Sequence, residues 1–112
     1  MRELNLDRLR TLVTIADLGS FAEAARTLHL APPTVSLHIA DLEALIGAPL
    51  LVRKRGEVRP SGAGEVLVER ARRLLADADE AMDLVRRQVH GLEGRVRLGA
   101  STGAIADRKS VV

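Results

Sequence analysis

The sequence contains no cysteine, tryptophan or tyrosine, and Phe21 is its single aromatic residue. Without cysteine, disulfides and thiolate metal sites are excluded, and the three scattered histidines do not form a metal-binding pattern. Without aromatics, the core must be built from leucine, valine, isoleucine and alanine. This set favours helices, because leucine and alanine are strong helix formers. The sequence therefore predicts a mainly α fold with no metal and no cofactor.

Long hydrophobic runs are also missing. No apolar stretch approaches the roughly 20 residues that a membrane-spanning helix needs, and the first residues, Met1 to Asn5, lack the apolar core of a signal peptide. We therefore expect a cytoplasmic protein with no membrane partner. With 112 residues, 46% of them hydrophobic and 29% charged, the chain is long enough for one domain with a modest core.

Apolar residues recur at steps of three and four along the first part of the chain, which predicts short helices. The first runs from about Leu6 to Leu18 and ends at Gly19. The second begins at Ser20, which stands three residues before Glu23 in a capping-box pattern. The stripe expected to be buried in this helix comprises Phe21, Ala24, Ala25 and Leu28.

The third helix is predicted to begin at Pro32 and Pro33, because proline fits the first turn of a helix, where a missing N–H costs nothing. Ala31 is a poor cap, and the two prolines remove donors that a cap would serve. The N–H groups of Thr34 and Val35 are expected to face a phosphate. We expect Val35, Ile39, Leu42 and Ile46 to point inward, and Thr34, Ser36, Leu37, His38 and Asp41 to lie on the opposite face.

A small hairpin should follow the third helix. Leu50–Arg53 and Glu57–Arg59 are β-like runs, and Gly56 lies at the turn between them. The net charge of the whole chain is only +2, but this segment concentrates basic residues against Glu57 alone. A charge run is commonly a solvated turn, yet its position directly after three short helices favours contact with DNA. The basic residues are Arg53, Lys54, Arg55 and Arg59.

A long fourth helix is predicted from residue 62 to residue 90, capped by Ser61 and stopped by Gly91. Its apolar residues follow a heptad pattern, which is typical of a coiled coil or of ordinary packing on the helix's own domain. Because the three short helices should complete a core by themselves, we favour a homodimer interface. Its residues are Val68, Ala71, Leu75, Ala78, Met82, Val85 and Val89. Beyond this helix, Arg95 to Ala100 alternates like a strand.

Three helices, a β-hairpin wing and a long dimerisation helix make a winged helix-turn-helix with an appended linker. The sequence closely resembles the LysR-type transcriptional regulator family over residues 4 to about 64, and along the long helix to about residue 90. The most specific element is Gly-Ser-Phe-x-x-Ala-Ala within Gly19–Leu30, followed by Val35-Ser36. Further matches are Leu6–Val13, Ile39, Leu42-Glu43, Gly47, Leu50–Arg53 and Ser61–Gly64.

The resemblance implies a homodimeric transcription regulator that binds double-stranded DNA at an interrupted inverted repeat, its linker helices pairing antiparallel. Residues 4–61 would be the DNA-binding domain and 62–90 the linker. Residues 91–112 would be a hinge with the truncated start of an effector-binding domain or a non-native tail. On this reading, we expect the rest of that sensor domain, with its small-molecule inducer site, to be missing, and we expect DNA binding without an inducer response. A full-length form could assemble into higher oligomers.

The resemblance places DNA contacts at the start of the third helix and in the wing. Arg53 matches the family's wing arginine, whereas Lys54 and Arg55 are assigned by neighbourhood only. The family commonly has Ser-Gln at Ala31-Pro32 and Arg-Gln at Leu37-His38, so the usual base readers are missing. We therefore expect an A·T-leaning site with weak guanine selectivity. The expected DNA-binding residues are Ser20, Pro32, Pro33, Thr34, Ser36, Leu37, His38, Arg53, Lys54, Arg55 and Arg59.

Three rival functions fit the sequence less well than this one. An enzyme needs a nucleophile, a base or a metal gathered in a pocket, and the sequence offers no cysteine, phosphate-cradling glycine loop or paired carboxylate motif. A winged-helix regulator of another family, such as the MarR type, would not typically carry the Gly-Ser-Phe-x-x-Ala-Ala element. A coiled-coil protein-interaction module would need neither the proline-initiated third helix nor the basic wing.

Overall fold

The structure is a computed structural model that describes residues 3–95. Its elements, in chain order, are α1 (Leu6–Leu18), α2 (Phe21–Leu28), α3 (Pro32–Ile46), β1 (Leu51–Lys54), β2 (Glu57–Pro60) and α4 (Gly62–Arg95). The predicted fold class, a mainly α winged helix-turn-helix followed by a long helix, is confirmed. The chain divides into two compact units, Met1–Asp77 and Ala78–Val112, and each is described by itself.

The ends of α1 and α2 are determined by capping residues that lie next to them in the sequence. The side chain of Asn5 accepts a hydrogen bond from the Arg8 amide at 3.1 Å and so caps α1. Gly19 ends α1 in the left-handed conformation at φ 71°, which a residue without Cβ adopts without strain. Ser20 Oγ accepts from the Glu23 amide at 3.1 Å and caps α2, as predicted.

The core of the first unit draws on all four helices, on Leu50 and on β2, so the expectation that three short helices complete it is wrong. The hairpin contributes Val58, and the first turns of α4 contribute Val68 and Ala71. Burying one apolar side chain stabilises the fold by about 1.5–3 kcal/mol. Because three short helices supply few apolar side chains to bury, the core also needs those of the hairpin and of α4. The buried set is Leu9, Leu12, Ile15, Ala24, Ala25, Val35, Ile39, Leu42, Leu50, Val58, Val68 and Ala71.

A close joint fixes the start of α4 against the chain that enters the wing. The Ser61 amide donates to the Leu50 carbonyl at 2.9 Å. Ser61 Oγ accepts from the Gly64 amide at 3.0 Å and donates to the Pro49 carbonyl at 2.7 Å. A Cβ on Gly64 would lie 1.9 Å from the Leu50 carbonyl oxygen. Only glycine therefore permits this approach of α4 to the backbone of Leu50, the residue before β1.

The fourth helix continues past the point where the sequence predicted its end. Gly91 does not stop it: α4 runs on to Arg95, and Gly91 is not among the glycines with positive φ. A glycine ends a helix when it turns left-handed, whereas inside a helix it costs only about 1 kcal/mol. Arg95 closes α4, and the rest of the predicted strand, residues 96–100, lies outside the described residues. No helix within residues 3–95 is long and apolar enough to cross a membrane.

Candidate nucleic-acid interface

The acidic side chains of α3 are bound within the chain. Arg8 Nε on α1 donates to Asp41 Oδ2 at 3.0 Å, and the same carboxylate oxygen lies 3.0 Å from Arg8 Nη2. Glu43 Oε2 accepts from the Leu50 amide at 2.8 Å. Asp41 was expected on the face of α3 opposite the core, but it packs against α1 instead. The arginine offsets a negative charge that would otherwise repel a DNA phosphate.

His38 is also held by α1. Its Nδ1 lies 2.8 Å from the Oγ1 of Thr11, a buried residue. The expectation of a fully outward His38 is corrected by this contact, since the ring is half-buried. Sequence periodicity misplaced His38 and Asp41 because α1 covers a wider arc of α3 than the apolar residues alone indicate.

The exposed face of α3 is uncharged. Leu37 stands at its centre with 58% of its surface exposed, although a leucine normally favours the core. Ile46, which was expected to point inward, is also 44% exposed, because α3 ends there and leaves the core. The exposed residues on the outward face of α3 are Pro33, Ser36, Leu37, Ala40 and Ala44.

The N-terminus of α3 does not offer the free amides that we expected. The Thr34 amide donates to the Ala31 carbonyl at 2.9 Å, and the Val35 amide donates to the same oxygen at 3.3 Å. Pro32 and Pro33 have no N–H, so no side-chain cap is needed. The expectation that Thr34 and Val35 present free N–H groups to a phosphate is wrong, because Ala31 binds both.

The wing is a two-residue hairpin, close to the predicted one. Its register pairs Arg53 with Val58 and Lys54 with Glu57. Arg55 and Gly56 form the turn with φ 54° and 79°. Positive φ at both positions is the signature of a type I′ turn, whose twist matches that of the strands. Lys54, assigned to the turn from the sequence, is the last residue of β1.

The basic residues of the wing divide between its two faces. Because side chains alternate along a strand, Arg53 shares a face with buried Val58, whereas Lys54 and Arg59 lie on the other face. Arg53 lines a groove with Ser36 and with other residues of α2, α3 and the wing. Lys54, Arg55, Glu57 and Arg59 line a separate shallow concavity, with Arg59 Nη2 3.2 Å from Glu57 Oε1.

The remaining predicted DNA contact, Ser20, is the cap of α2. Its oxygen is occupied by the Glu23 amide, which leaves the hydroxyl proton for an outside acceptor. The contacts of Arg8, Thr11 and Glu43 were not predicted from the sequence, although they determine which α3 groups remain available. The Leu42-Glu43 match drew attention to Glu43 as a family residue, but no local pattern reveals its bond to the Leu50 amide.

The predicted dimer seam belongs partly to the core of the first unit. Val68 and Ala71 are core residues and Leu75 is buried, so these three offer almost no surface to a partner. In the second unit, Met82 and Val85 are half-exposed. The seam residues that remain accessible there are Ala78, Met82, Val85 and Val89.

An ion pair reinforces the attachment of α4 within the first unit. Arg72 Nη2 donates to Asp17 Oδ1 at 2.5 Å, and Nη1 donates to Oδ2 at 3.3 Å. This two-point contact matches the planar guanidinium to the carboxylate. The hydrogen bonds from Arg72 to Asp17 raise the pKa of Arg72 above its already high usual value. The Arg72 guanidinium therefore stays charged at neutral pH.

Comparisons with known proteins agree with this geometry. The model of the family described as "Bacterial regulatory helix-turn-helix protein, lysR family" matches residues 6–65. The chain belongs to the LysR family. It is 37% identical to the nitrogen assimilation regulatory protein nac of Klebsiella aerogenes over 103 residues, which cover 92% of this chain and 34% of that protein. The MarR-type alternative is set aside by this match.

Solved structures of the LysR family share the fold. The BenM DNA-binding domain in complex with catB site 1 DNA is similar, with a TM-score of 0.71, 31% identity, and coverage of 75% of this chain and 93% of that one. CbnR, a LysR family transcriptional regulator, is similar with a TM-score of 0.71 and 31% identity over 75% of this chain and 29% of CbnR. The chain spans about a third of the length of the curated relatives it matches, 34% in the case of nac.

Proposed function

We propose that the chain binds double-stranded DNA as a homodimeric transcription regulator, with α3 in the major groove and the wing on the phosphate backbone. One observation carries this proposal: an uncharged, exposed helix face lies in the same compact unit as a basic hairpin. An α-helix fits the width of the major groove, where base edges are read. Cations beside it neutralise phosphates and supply affinity that does not depend on sequence.

Base recognition should depend on apolar contacts and hydroxyl groups. Leu37, Pro33 and Ala40 can meet thymine methyl groups, and Ser36 can hydrogen-bond to a base or a phosphate. No arginine on this face can make the two-point contact with guanine that is worth about 1–3 kcal/mol of discrimination. We expect an A·T-leaning site with weak guanine selectivity. A two-fold dimer requires two such half-sites, arranged as an interrupted inverted repeat.

The second unit is proposed to hold the dimer together. Ala78, Met82, Val85 and Val89 recur at steps of three and four along α4, and none of them is buried. An isolated helix is marginally stable in water and gains most of its stability from packing its apolar face. A second copy of the same helix offers a self-complementary partner for this face.

Selection from a random DNA library, followed by sequencing, tests the DNA proposal. We expect an A·T-leaning palindrome whose affinity falls steeply with salt. A strongly selected guanine that disappears with Arg53→Ala but survives Leu37→Ala and His38→Ala would move recognition to the wing and contradict the proposal. Loss of sequence preference with Leu37→Ala, at an unchanged salt dependence, would support it.

Sedimentation of charge variants tests the dimer. Val85→Asp places a carboxylate in the proposed seam, and we expect a monomer. Leu84→Asp is the matched control, because Leu84 is 53% exposed, against 59% for Val85, and lies outside the seam. A Val85→Asp variant that sediments as a dimer would contradict the proposal. Leu75→Asp is unsuitable, since its buried charge should unfold the first unit.

A further inference from the structure

The contact between His38 and Thr11 involves a hydroxyl group with two neighbours and a single proton. Thr11 is 1% exposed, so water cannot replace either neighbour. Its Oγ1 lies 3.1 Å from the Asp7 carbonyl oxygen and 2.8 Å from His38 Nδ1. A carbonyl oxygen can only accept, whereas a ring nitrogen can accept or donate, depending on the tautomer.

Only one arrangement of protons makes both contacts hydrogen bonds. Thr11 donates its hydroxyl proton to the Asp7 carbonyl, and His38 Nδ1–H donates to Thr11 Oγ1. In the other tautomer Thr11 would donate to Nδ1, and two acceptor oxygens would face each other at 3.1 Å without a proton between them. Buried polar groups strongly favour full pairing, which selects the first arrangement.

The proton on Nδ1 determines what the other ring nitrogen can do. A neutral imidazole carries one N–H, so Nε2 then has a lone pair and no proton. Within residues 3–95, the His38 side chain makes no hydrogen bond other than the one to Thr11. Asp41, one turn further along α3, is occupied by Arg8 and does not compete for the ring. His38 therefore presents an acceptor from a half-buried position on α3.

We propose that Thr11 fixes His38 as the Nδ1–H tautomer, so that Nε2 selects a base with an amino group in the major groove. Adenine N6 and cytosine N4 are the donors exposed there, whereas guanine and thymine present only acceptors to a hydrogen-bonding group. Each half-site should then contain one position that prefers adenine or cytosine over guanine or thymine. The base-selecting part rests on the proposed function, because it requires α3 to lie in the major groove.

Nitrogen-15 NMR of the free chain tests the tautomer without DNA. In the neutral form of the ring, we expect the His38 proton on Nδ1. Thr11→Val keeps the shape of the side chain and removes the hydroxyl, so the proton should move toward Nε2, the position that free histidine favours. Thr11→Ser restores the hydroxyl and should restore the Nδ1–H form. A wild-type spectrum with the proton on Nε2 would overturn the proposal.

Library selection with the same variants tests base choice. A single neutral hydrogen bond corresponds to about a three- to tenfold preference. We expect wild type and Thr11→Ser to show this preference for adenine or cytosine at one half-site position, and Thr11→Val and His38→Ala to abolish it. A preference that Thr11→Val leaves unchanged would overturn the base-selecting part. If wild type enriched no sequence at all, the proposed function would fail, while the NMR result would still decide the tautomer.

Discussion

The third helix and the wing present contrasting surfaces on the same compact unit. On α3, Asp41 and Glu43 are paired within the chain and the outward face is uncharged. On the wing, the basic residues remain exposed on both faces, and one of them, Arg59, is paired only with neighbouring Glu57. The helix is therefore suited to shape and hydrogen-bond recognition, and the wing to attraction of phosphates.

Under the proposed function, this contrast assigns affinity to the wing and specificity to α3. Phosphate contacts position a protein on DNA without carrying sequence information, whereas base-edge contacts specify the site. A variant of the wing should thus change the salt dependence of binding, and a variant of α3 should change the base preference. Both quantities can be measured on the same set of variants.

The largest effect should come from disturbing the joint between the wing and α4. Gly64→Ala would force a methyl group against the Leu50 carbonyl, whose oxygen lies 1.9 Å from the added Cβ position. We expect the free energy of unfolding to fall by about 3 kcal/mol, measured by urea denaturation. Gly62→Ala is the control, because nothing lies within 4 Å of its Cβ position. Equal stability of the two variants would show that the joint does not depend on glycine.

The next effect concerns the two faces of the wing. Arg53→Ala and Arg59→Ala should each lower the slope of log affinity against log salt by about 0.9, because each removes a cation that neutralises one phosphate. The base preference should not change. Arg73→Ala on α4 removes the same charge from a residue that lies 3.9 Å from Glu69. If Arg73→Ala lowers the slope equally, net charge rather than wing contact explains the effect.

A smaller and more selective effect should follow from changing α3. Leu37→Ala should weaken binding by about 1 kcal/mol at sites with thymine at the contacted position, because alanine is too short to reach the thymine methyl group. The salt slope should stay the same, since no charge changes. The control is Leu18→Ala on α1, where the leucine is 45% exposed. A weakening that is uniform over all sequences, measured by library selection, would remove Leu37 from base recognition.

The smallest effect should come from removing the charge of Asp41, which Arg8 offsets. Asp41→Asn removes a carboxylate beside the proposed DNA face, so affinity for all sequences should rise slightly. Stability should fall by less than about 1 kcal/mol, because ion pairs this exposed contribute little. Glu69→Gln on α4 is the matched control. Weaker DNA binding by Asp41→Asn, in a titration at low salt, would show that the carboxylate positions α3 rather than repelling phosphate.

Much of the first unit could be predicted from short-range patterns. The bounds of α1, the Ser20 cap, the proline start of α3 and the turn at Gly56 all depend on residues within a few positions of each other. Such signals are local, because capping and turn geometry involve adjacent backbone groups. The predicted end of α4 was wrong because Gly91 signals a stop only when its backbone turns left-handed.

The sequence by itself determined the helix-turn-helix order, the basic wing and the heptad stripe of α4. Tertiary structure alone decided which residues of that stripe are buried in the core and which remain accessible. Val68 and Ala71 are in the core, although their periodicity also allowed them to face a partner. It also decided which α3 groups remain available, through Arg8, Thr11 and the Leu50 amide. Periodicity shows which side chains share a helix face. Which element covers that face depends on contacts between residues distant in sequence, and these exist only once the chain has folded.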